Sequence, residues 1–324
     1  MHVNPRHRRF LVCEDVLGPR RLREALVNVL FTDLKASSVT LVPSAIAALY
    51  ATGHHTALVV DCGYSETRLL PVYKGIPLLY FFSSVSASGG GLAMDVSKRN
   101  HRFDLEQTLG QGSACARAQT EDVLERACFV QPLQLYVLTI SDCLQNRIMD
   151  VADATFNLQG ARSVVIPAAS RSEACENLFL GTEACGESIV SCVEEILEKL
   201  PLDVRAAMVE NVLVVGGTSM LPGITSPCRV LVSAAPDLMV YVAGFCGRLH
   251  EELVASLAAA NKQRLSDRVS ILRPLFPRNV LPWVGASILA ATESAKESTV
   301  SANEYASASS RCLPDWASIA ETEI

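Results

Sequence analysis

Thr56-Ala-Leu-Val-Val-Asp61-Cys62-Gly63-Tyr64-Ser65-Glu66-Thr67 sets a glycine turn directly behind a strand-like apolar run, and a second strand, Arg68-Leu-Leu-Pro-Val-Tyr73, follows. An acidic residue ending a buried strand, then glycine, then a hydroxyl opening the next strand, makes a hairpin whose N–H groups can face phosphate. Roughly half the chain later a second turn stands behind another strand: Asn211-Val-Leu-Val-Val215-Gly216-Gly217-Thr218-Ser219-Met220-Leu221-Pro222-Gly223. A Gly-Gly turn there lets a flat base approach the backbone closely.

Outward from the first turn, the pattern reads as α/β units joined to an antiparallel meander. Residues 10–13 form a short strand, and Pro19 opens a helix through Leu34 with Leu22, Leu26, Val29, Leu30 and Leu34 on one stripe. A strand over 38–42, a helix over 44–52 closed by Gly53, and strands over 56–61, 67–73 and 76–82 follow, with Lys74-Gly75 as a tight hairpin. This order is not a Rossmann start, which runs from strand to Gly-rich loop to helix. From 83 to 172 the periodicity weakens, apart from a helix over 120–129. Gly89-Gly90-Gly91 has no Lys-Ser/Thr behind it and reads as an interlobe turn rather than a phosphate loop. Helices over 186–200 and 203–209 lead to the second glycine turn; a helix over 251–257, a strand over 269–272 and a helix opening near Gly285 complete the pattern. Residues 299–324 read as loosely held, with Leu313-Pro314-Asp315-Trp316 able to dock.

With 324 residues, 49% of them apolar and only 6% aromatic, the chain can bury a large aliphatic core in two lobes. A net charge of -6 argues against a broad nucleic-acid surface, and Arg6-His7-Arg8-Arg9 is too short to be one. Eleven cysteines include no C-x-x-C pair, and Cys62, Cys128, Cys143 and Cys192 lie in apolar segments as small hydrophobes. No secretory signal is read at the start, so a reducing intracellular compartment is expected. The six histidines, His54-His55 among them, have no ligand spacing with the cysteines, and no metal site is expected. No apolar stretch is long and unbroken enough to span a bilayer.

Several landmarks in order resemble actin and the actin-related proteins over nearly the whole chain. They are Leu49-Tyr50-Ala51-Thr52-Gly53, the Asp61-to-Thr67 hairpin, Leu70-Pro71-Val72-Tyr73-Lys74-Gly75, and Phe179-Leu180-Gly181-Thr182-Glu183-Ala184-Cys185-Gly186. Asp203-Val204-Arg205, the 215–223 turn, Trp283-Val284-Gly285-Ala286-Ser287-Ile288-Leu289-Ala290 and Glu304-Tyr305 complete the set. The resemblance implies an α/β, actin-like ATPase (ribonuclease H-like) fold, two-lobed, with the first phosphate hairpin and the small polymer-loop subdomain missing. It divides the chain into a remnant of subdomain 1 (1–55 plus 283–324), subdomain 3 (56–88 plus 180–282) and subdomain 4 (89–179), with subdomain 2 absent. A first lobe lacking its N-terminal strands would leave Phe10, Val12 and the 39–42 strand poorly protected.

The same resemblance implies a vestigial nucleotide site at Asp61, Gly63, Thr67, Gly216, Gly217, Thr218 and Met220, with no catalytic residue and no metal. Ser44 stands where the family's water-positioning glutamine belongs, Tyr64 where it has an acidic residue, and Ser65 where it has a glycine. The loss of about three charge-assisted hydrogen bonds with the first hairpin costs roughly 4.5–9 kcal/mol, or about three to six orders of magnitude in affinity. No cofactor is therefore expected, ATP or ADP being open only to a longer form. Each residue also has a plain structural reading. Asp61 can simply cap its hairpin, Gly216-Gly217 can serve close packing, Met220 can be core, and Cys62 a buried thiol without a base.

Within the family, Asn4-Pro5-Arg6, Gly75-Ile76-Pro77-Leu78 and Leu313-Pro314-Asp315-Trp316 are similar to the pointed-end actin-related subunit of dynactin. That implies a non-enzymatic cytoplasmic, cytoskeletal protein that caps a short actin-related filament and supports dynein-driven cargo transport. Its partners would be the filament subunit and other pointed-end subunits, with no nucleic acid and no membrane insertion. Trp316 with Leu313 in the tail and the 83–172 lobe are the expected anchors, the alternative being that Trp316 folds back onto its own subdomain. The alternative is an ATP-dependent small-molecule kinase or ATPase of the actin, Hsp70 and sugar-kinase fold; a third reading is a shortened product with no stable fold.

Overall fold

A computed structural model of the chain describes residues 4–6, 8–88, 114–133, 153–158, 162–181, 187–223, 244–293, 295 and 298–316. Gly89–Gly91, Cys143, residues 182–186 and the tail beyond 316 lie outside these. The architecture is α/β in two lobes, each built on its own sheet. In the first lobe β1 (Arg9–Glu14) runs parallel to β2 (Ser38–Pro43), and β10 (Thr299–Ser301) runs antiparallel along β2's other edge. β2 is buried at every position, so the expectation of an unprotected 39–42 strand is corrected. It lies between two neighbours, and the outer strands of this sheet are β1 and β10.

The second sheet has the order β5-β4-β3-β9, with β6 also on β4. β3 (Ala57–Cys62) and β4 (Thr67–Tyr73) are antiparallel, and β9 (Val212–Val215) lies parallel to β3. Lys74 and Gly75 turn the next hairpin with φ of 52° and 85°. The strand read over 76–82 is in fact two pieces. β5 is only Ile76–Pro77; a 3-10 turn over Leu79–Phe81 follows, and β6 (Ser83–Val85) then returns to pair with β4 at Thr67–Leu69. The Leu78 N–H still donates to the Pro71 carbonyl at 2.9 Å, but Pro71 has no N–H to return, and the ladder ends there. The strand read over 269–272 is reduced to a single bridge between Ile271 and Val212.

β3 and β9 are covered on both faces, which is why their sequences read as unbroken apolar runs. Leu58, Val60, Val212 and Val214 face the larger core, built from α3 (Ala114–Ala127), α4 (Ala168–Leu180), α5 (Ile189–Lys199), α6 (Leu202–Glu210) and α7 (Gly244–Ala259). Val59, Leu213 and Val215 face α2 (Ser44–Tyr50) and Leu281 of α9 (Leu281–Ala290). α9 starts four residues before Gly285, and Gly285 is where it meets α2. A Cβ there would stand 1.6 Å from the Ala47 carbonyl oxygen, so the two helices touch backbone to backbone. The short α8 (Gln263–Ser266) and α10 (Ala302–Ala308) complete the helices, α10 opening with a capping box between Ser301 and Glu304.

Helix α1 (Arg20–Thr32) forms as expected, but its inward face differs from the one read in the sequence. Val27, Leu30 and Phe31 pack against Val39, Leu41 and Val300, whereas Leu22, Leu26 and Val29 face water. The end of the chain is also better held than its Ser/Ala content suggests. Trp316 packs into the α1–β2 cluster and into the cluster that joins α2 to the second sheet, and its indole N–H donates to Glu14 Oε1. Trp316 is thus held within its own chain rather than offered as an anchor, and Leu313 joins the same cluster.

Candidate functional site

Because β3 and β9 are parallel, with Asp61 opposite Val215, their C-terminal turns emerge side by side. This is where open α/β sheets present ligand sites. The Gly63 N–H donates to the Glu66 carbonyl at 3.1 Å and closes the first turn. The Thr218 hydroxyl donates to the Gly63 carbonyl at 2.9 Å and ties the two turns together. Ser219 Oγ donates to the Gly216 carbonyl at 2.7 Å, holding the second turn in shape.

The two glycines of the second turn do different work. Gly216 has φ +94°, and a Cβ on it would come within 2.3 Å of the Cys62 carbonyl oxygen and 2.8 Å of Asp61 Oδ1. Its missing side chain is what lets the turn close onto β3. Gly217 sits in the helical region at φ -64°, with no heavy atom within 4 Å of a built Cβ. Met220 is 46% exposed and so is not core, unlike the buried Thr218 beside it. Thr67 is fully buried, and its hydroxyl donates to the Ala87 carbonyl at 2.5 Å. It therefore does not join Asp61, Gly63, Gly216 and Thr218 at the mouth of the turns.

Beneath Asp61 lies a cavity of about 30 Å³ lined by Glu14, Asp15, Ser44, Asp61, Arg68 and Phe82, among others. Arg68 crosses it, ion-paired with Asp15 and with Glu66 Oε1 at 2.7 Å. Ser44 Oγ donates to the Glu14 carbonyl at 3.1 Å. Glu14 itself accepts from Arg23 Nε at 2.7 Å. Burial raises the Asp61 carboxyl above its ordinary value, with Arg68 pulling it down and Asp15 pushing it further up. Cys62 is wholly buried, and burial lifts its thiol well above the ordinary range, so it is no nucleophile at neutral pH.

The charges at this pocket oppose a nucleotide's phosphates. Among its described lining residues the one cation, Arg68, is shared by two carboxylates, and a third carboxylate, Asp61, stands beside it. No group of three or more His, Cys, Asp or Glu placed to hold a metal occurs among the described residues. None of the described helices is long and apolar enough to cross a membrane. Sequence reasoning missed Arg68 and Asp15. The available signal was a lone charge in the otherwise apolar strand 67–73, next to Glu66; its second partner comes from a turn about fifty residues earlier.

A family model described as Actin matches residues 1–103. Over 343 residues the chain is 22% identical to actin-related protein 10 of Dictyostelium discoideum, covering 95% of this chain and 68% of that protein. It is 26% identical over 299 residues to actin-like protein 9 of Homo sapiens, covering 91% of this chain and 62% of that one. The chain thus spans about two thirds of the length of these relatives.

Proposed function

We propose that this chain, similar to actin-related proteins over most of its length, is a non-enzymatic subunit of a dynactin-type assembly, capping the pointed end of a short actin-related filament. Its partners would be the adjoining filament subunit and other pointed-end subunits, in the cytoplasm and cytoskeleton, where it would support dynein-driven transport. The residues of the two turns would then be the remains of a nucleotide site kept as scaffold. The subdomain boundaries given above belong to the same proposal. The likeness to actin-related protein 10 supports the assembly role.

The observation that carries the non-enzymatic part is the cavity under Asp61. Ser44 has its hydroxyl committed to the Glu14 carbonyl and has no reach to hold an attacking water. Phosphoryl transfer depends on that positioning and on charge stabilisation. Arg68, the one cation in the space, is engaged by Asp15 and Glu66. Both pairs are about a third or more exposed, so displacing them costs only about 0.4–2 kcal/mol together. The carboxylates of Glu14, Asp15 and Asp61 around the cavity are the larger obstacle.

Two measurements test the proposal. Calorimetry with Mg-ATP and a phosphate-release assay should give no micromolar binding and no turnover; steady turnover would favour the kinase or ATPase reading. Co-purification of the full chain with an actin-related filament subunit should give capture at filament ends, seen by labelled protein in electron micrographs. Decoration along the filament sides, or no capture, would remove the capping role.

A further inference from the structure

Three consecutive residues at the end of β1 tie together parts of the chain that are far apart in sequence. Glu14 is the first. Its carboxylate, 12% exposed, accepts from Arg23 Nε of α1 at 2.7 Å and from the Trp316 indole N–H. Its carbonyl accepts from Ser44 Oγ at the start of α2. Asp15 is the second, and its carboxylate leaves the first lobe to pair with Arg68 on β4 of the second sheet. The Asp15 carbonyl accepts from the Gly18 N–H at 3.1 Å, which closes the turn. Val16, the third, is buried in the cluster where Ala48 and Leu49 of α2 meet Ala57, Val59 and Leu70 of the second sheet.

The tail reaches this turn from the other end of the chain. While Arg23 Nε holds Glu14, Arg23 Nη1 donates to the Pro314 carbonyl at 2.8 Å. Trp316 then lies against the same cluster as Val16 and against the α1–β2 cluster. Near these fixed points the tail is not packed down along its length. A cavity of about 170 Å³ is lined by Leu17, Gly18 and Arg20 from the turn and α1, and by Leu313, Pro314 and Asp315 from the tail. Nor is the contact between the lobes a strong one. The Arg68 and Asp15 side chains are 32% and 45% exposed, so water and salt weaken their attraction. Contacts of this size bias a two-state equilibrium severalfold rather than by orders of magnitude, which suits a joint that opens.

We propose that tail residues 313–316 are a strap that sets how the two lobes are held together, acting through the 14–16 turn. Docked, the strap steadies Glu14 so that the adjoining Asp15 reaches Arg68; lifted, it frees the turn and with it the second sheet. The inference concerns contacts within this chain and does not rest on the capping proposal, which its failure leaves standing.

The test uses the full chain. Trp283 and Trp316 are its two tryptophans, and Trp283 is 73% exposed, so Trp283→Phe leaves Trp316 as the single indole reporter. In that background Arg68→Gln, a change on the second sheet, should raise acrylamide quenching of Trp316 by about twofold or more and shift its emission to the red. High salt should do the same to the parent and add nothing to the variant. In the other direction, Trp316→Phe should speed amide exchange about two- to fivefold at 14–18 and 63–67, with 58–60 and 212–215 unchanged. Should Trp316→Phe fail to fold, the Arg68→Gln fluorescence decides alone. Quenching of Trp316 that is indifferent to Arg68→Gln overturns the proposal. So does exchange that quickens only in α1 and 309–316, since the tail would then merely dock on the first lobe. Equal quickening at 212–215 also overturns it, since Trp316 would then be ordinary core.

Discussion

Gly216→Ala and Gly217→Ala are adjacent, identical in chemistry, and expected to have opposite effects. At Gly216 the backbone has φ +94°, and the new Cβ would lie 2.3 Å from the Cys62 carbonyl oxygen and 2.7 Å from its carbon. Leaving the ordinary φ range costs an alanine about 1–3 kcal/mol. The overlap is with backbone in the middle of a sheet buried on both faces, so nothing flexible can yield, and overpacking of that kind adds about 1–3 kcal/mol. The sum is about 2–6 kcal/mol, a large part of an ordinary domain's stability. At Gly217, φ is -64° and the Cβ meets open space. Alanine there restricts the unfolded chain at no cost in the folded one and should gain about 0.4–1 kcal/mol. Urea unfolding followed by far-UV circular dichroism reads both. If the turn served mainly to admit a base, both alanines would leave stability alone and differ only in nucleotide binding. A Gly216→Ala midpoint equal to wild type, or equal losses at both positions, refutes the packing argument.

Glu176 and Arg248 are buried together, with Arg248 Nη2 2.8 Å from Glu176 Oε2 and 2.7 Å from Glu252 Oε1. Burial pushes the Glu176 carboxyl from 4.5 to about 7 despite Arg248. The folded chain thus holds this proton more tightly than the unfolded one, so the group's contribution to stability is present below about 4.5 and lost as pH rises toward about 7. Unfolding midpoints measured across that window should fall with pH, and Glu176→Gln should flatten the slope. Trp316→Ala should destabilise by about 2–4 kcal/mol, because the indole fills two clusters and donates to Glu14; a melting curve unchanged from wild type would return Trp316 to the list of partner anchors.

The parts of the fold legible in the sequence are those where local pattern and tertiary demand coincide. β3 and β9 read as strands because both of their faces are buried, which leaves an unbroken apolar run between turn residues. The Lys74-Gly75 hairpin reads directly because both residues take positive φ, and only a few residue types do so cheaply. Helix α1 reads as a helix but not as to its direction. Leu30 belongs to both its apolar rows, and only the position of β2, set by distant pairing, selects the one through Val27 and Phe31. The two-piece strand after Pro77 depends on β6 returning to the far end of β4, a contact no local pattern encodes. At the site, the meeting of Asp61, Gly63, Gly216 and Thr218 follows from β3 lying beside β9. Thr67 had the right motif position, yet strand alternation turns its hydroxyl inward to Ala87.

The same geometry explains how the two turns can be kept without a nucleotide between them. Their contacts are internal: Thr218 to Gly63, Ser219 to Gly216, and Gly216 against Cys62 and Asp61. Each is satisfied by protein atoms, and a Gly216 or Thr218 substitution is penalised by the neighbouring turn whether or not a ligand exists. The side chains free to change are those that only a ligand would hold in place. Ser44 is one, bonded to a nearby carbonyl, and Arg68 is another, paired with two acids of its own chain. Selection for shape alone would therefore preserve the glycines and the tying threonine even where the chemistry beside them lapsed.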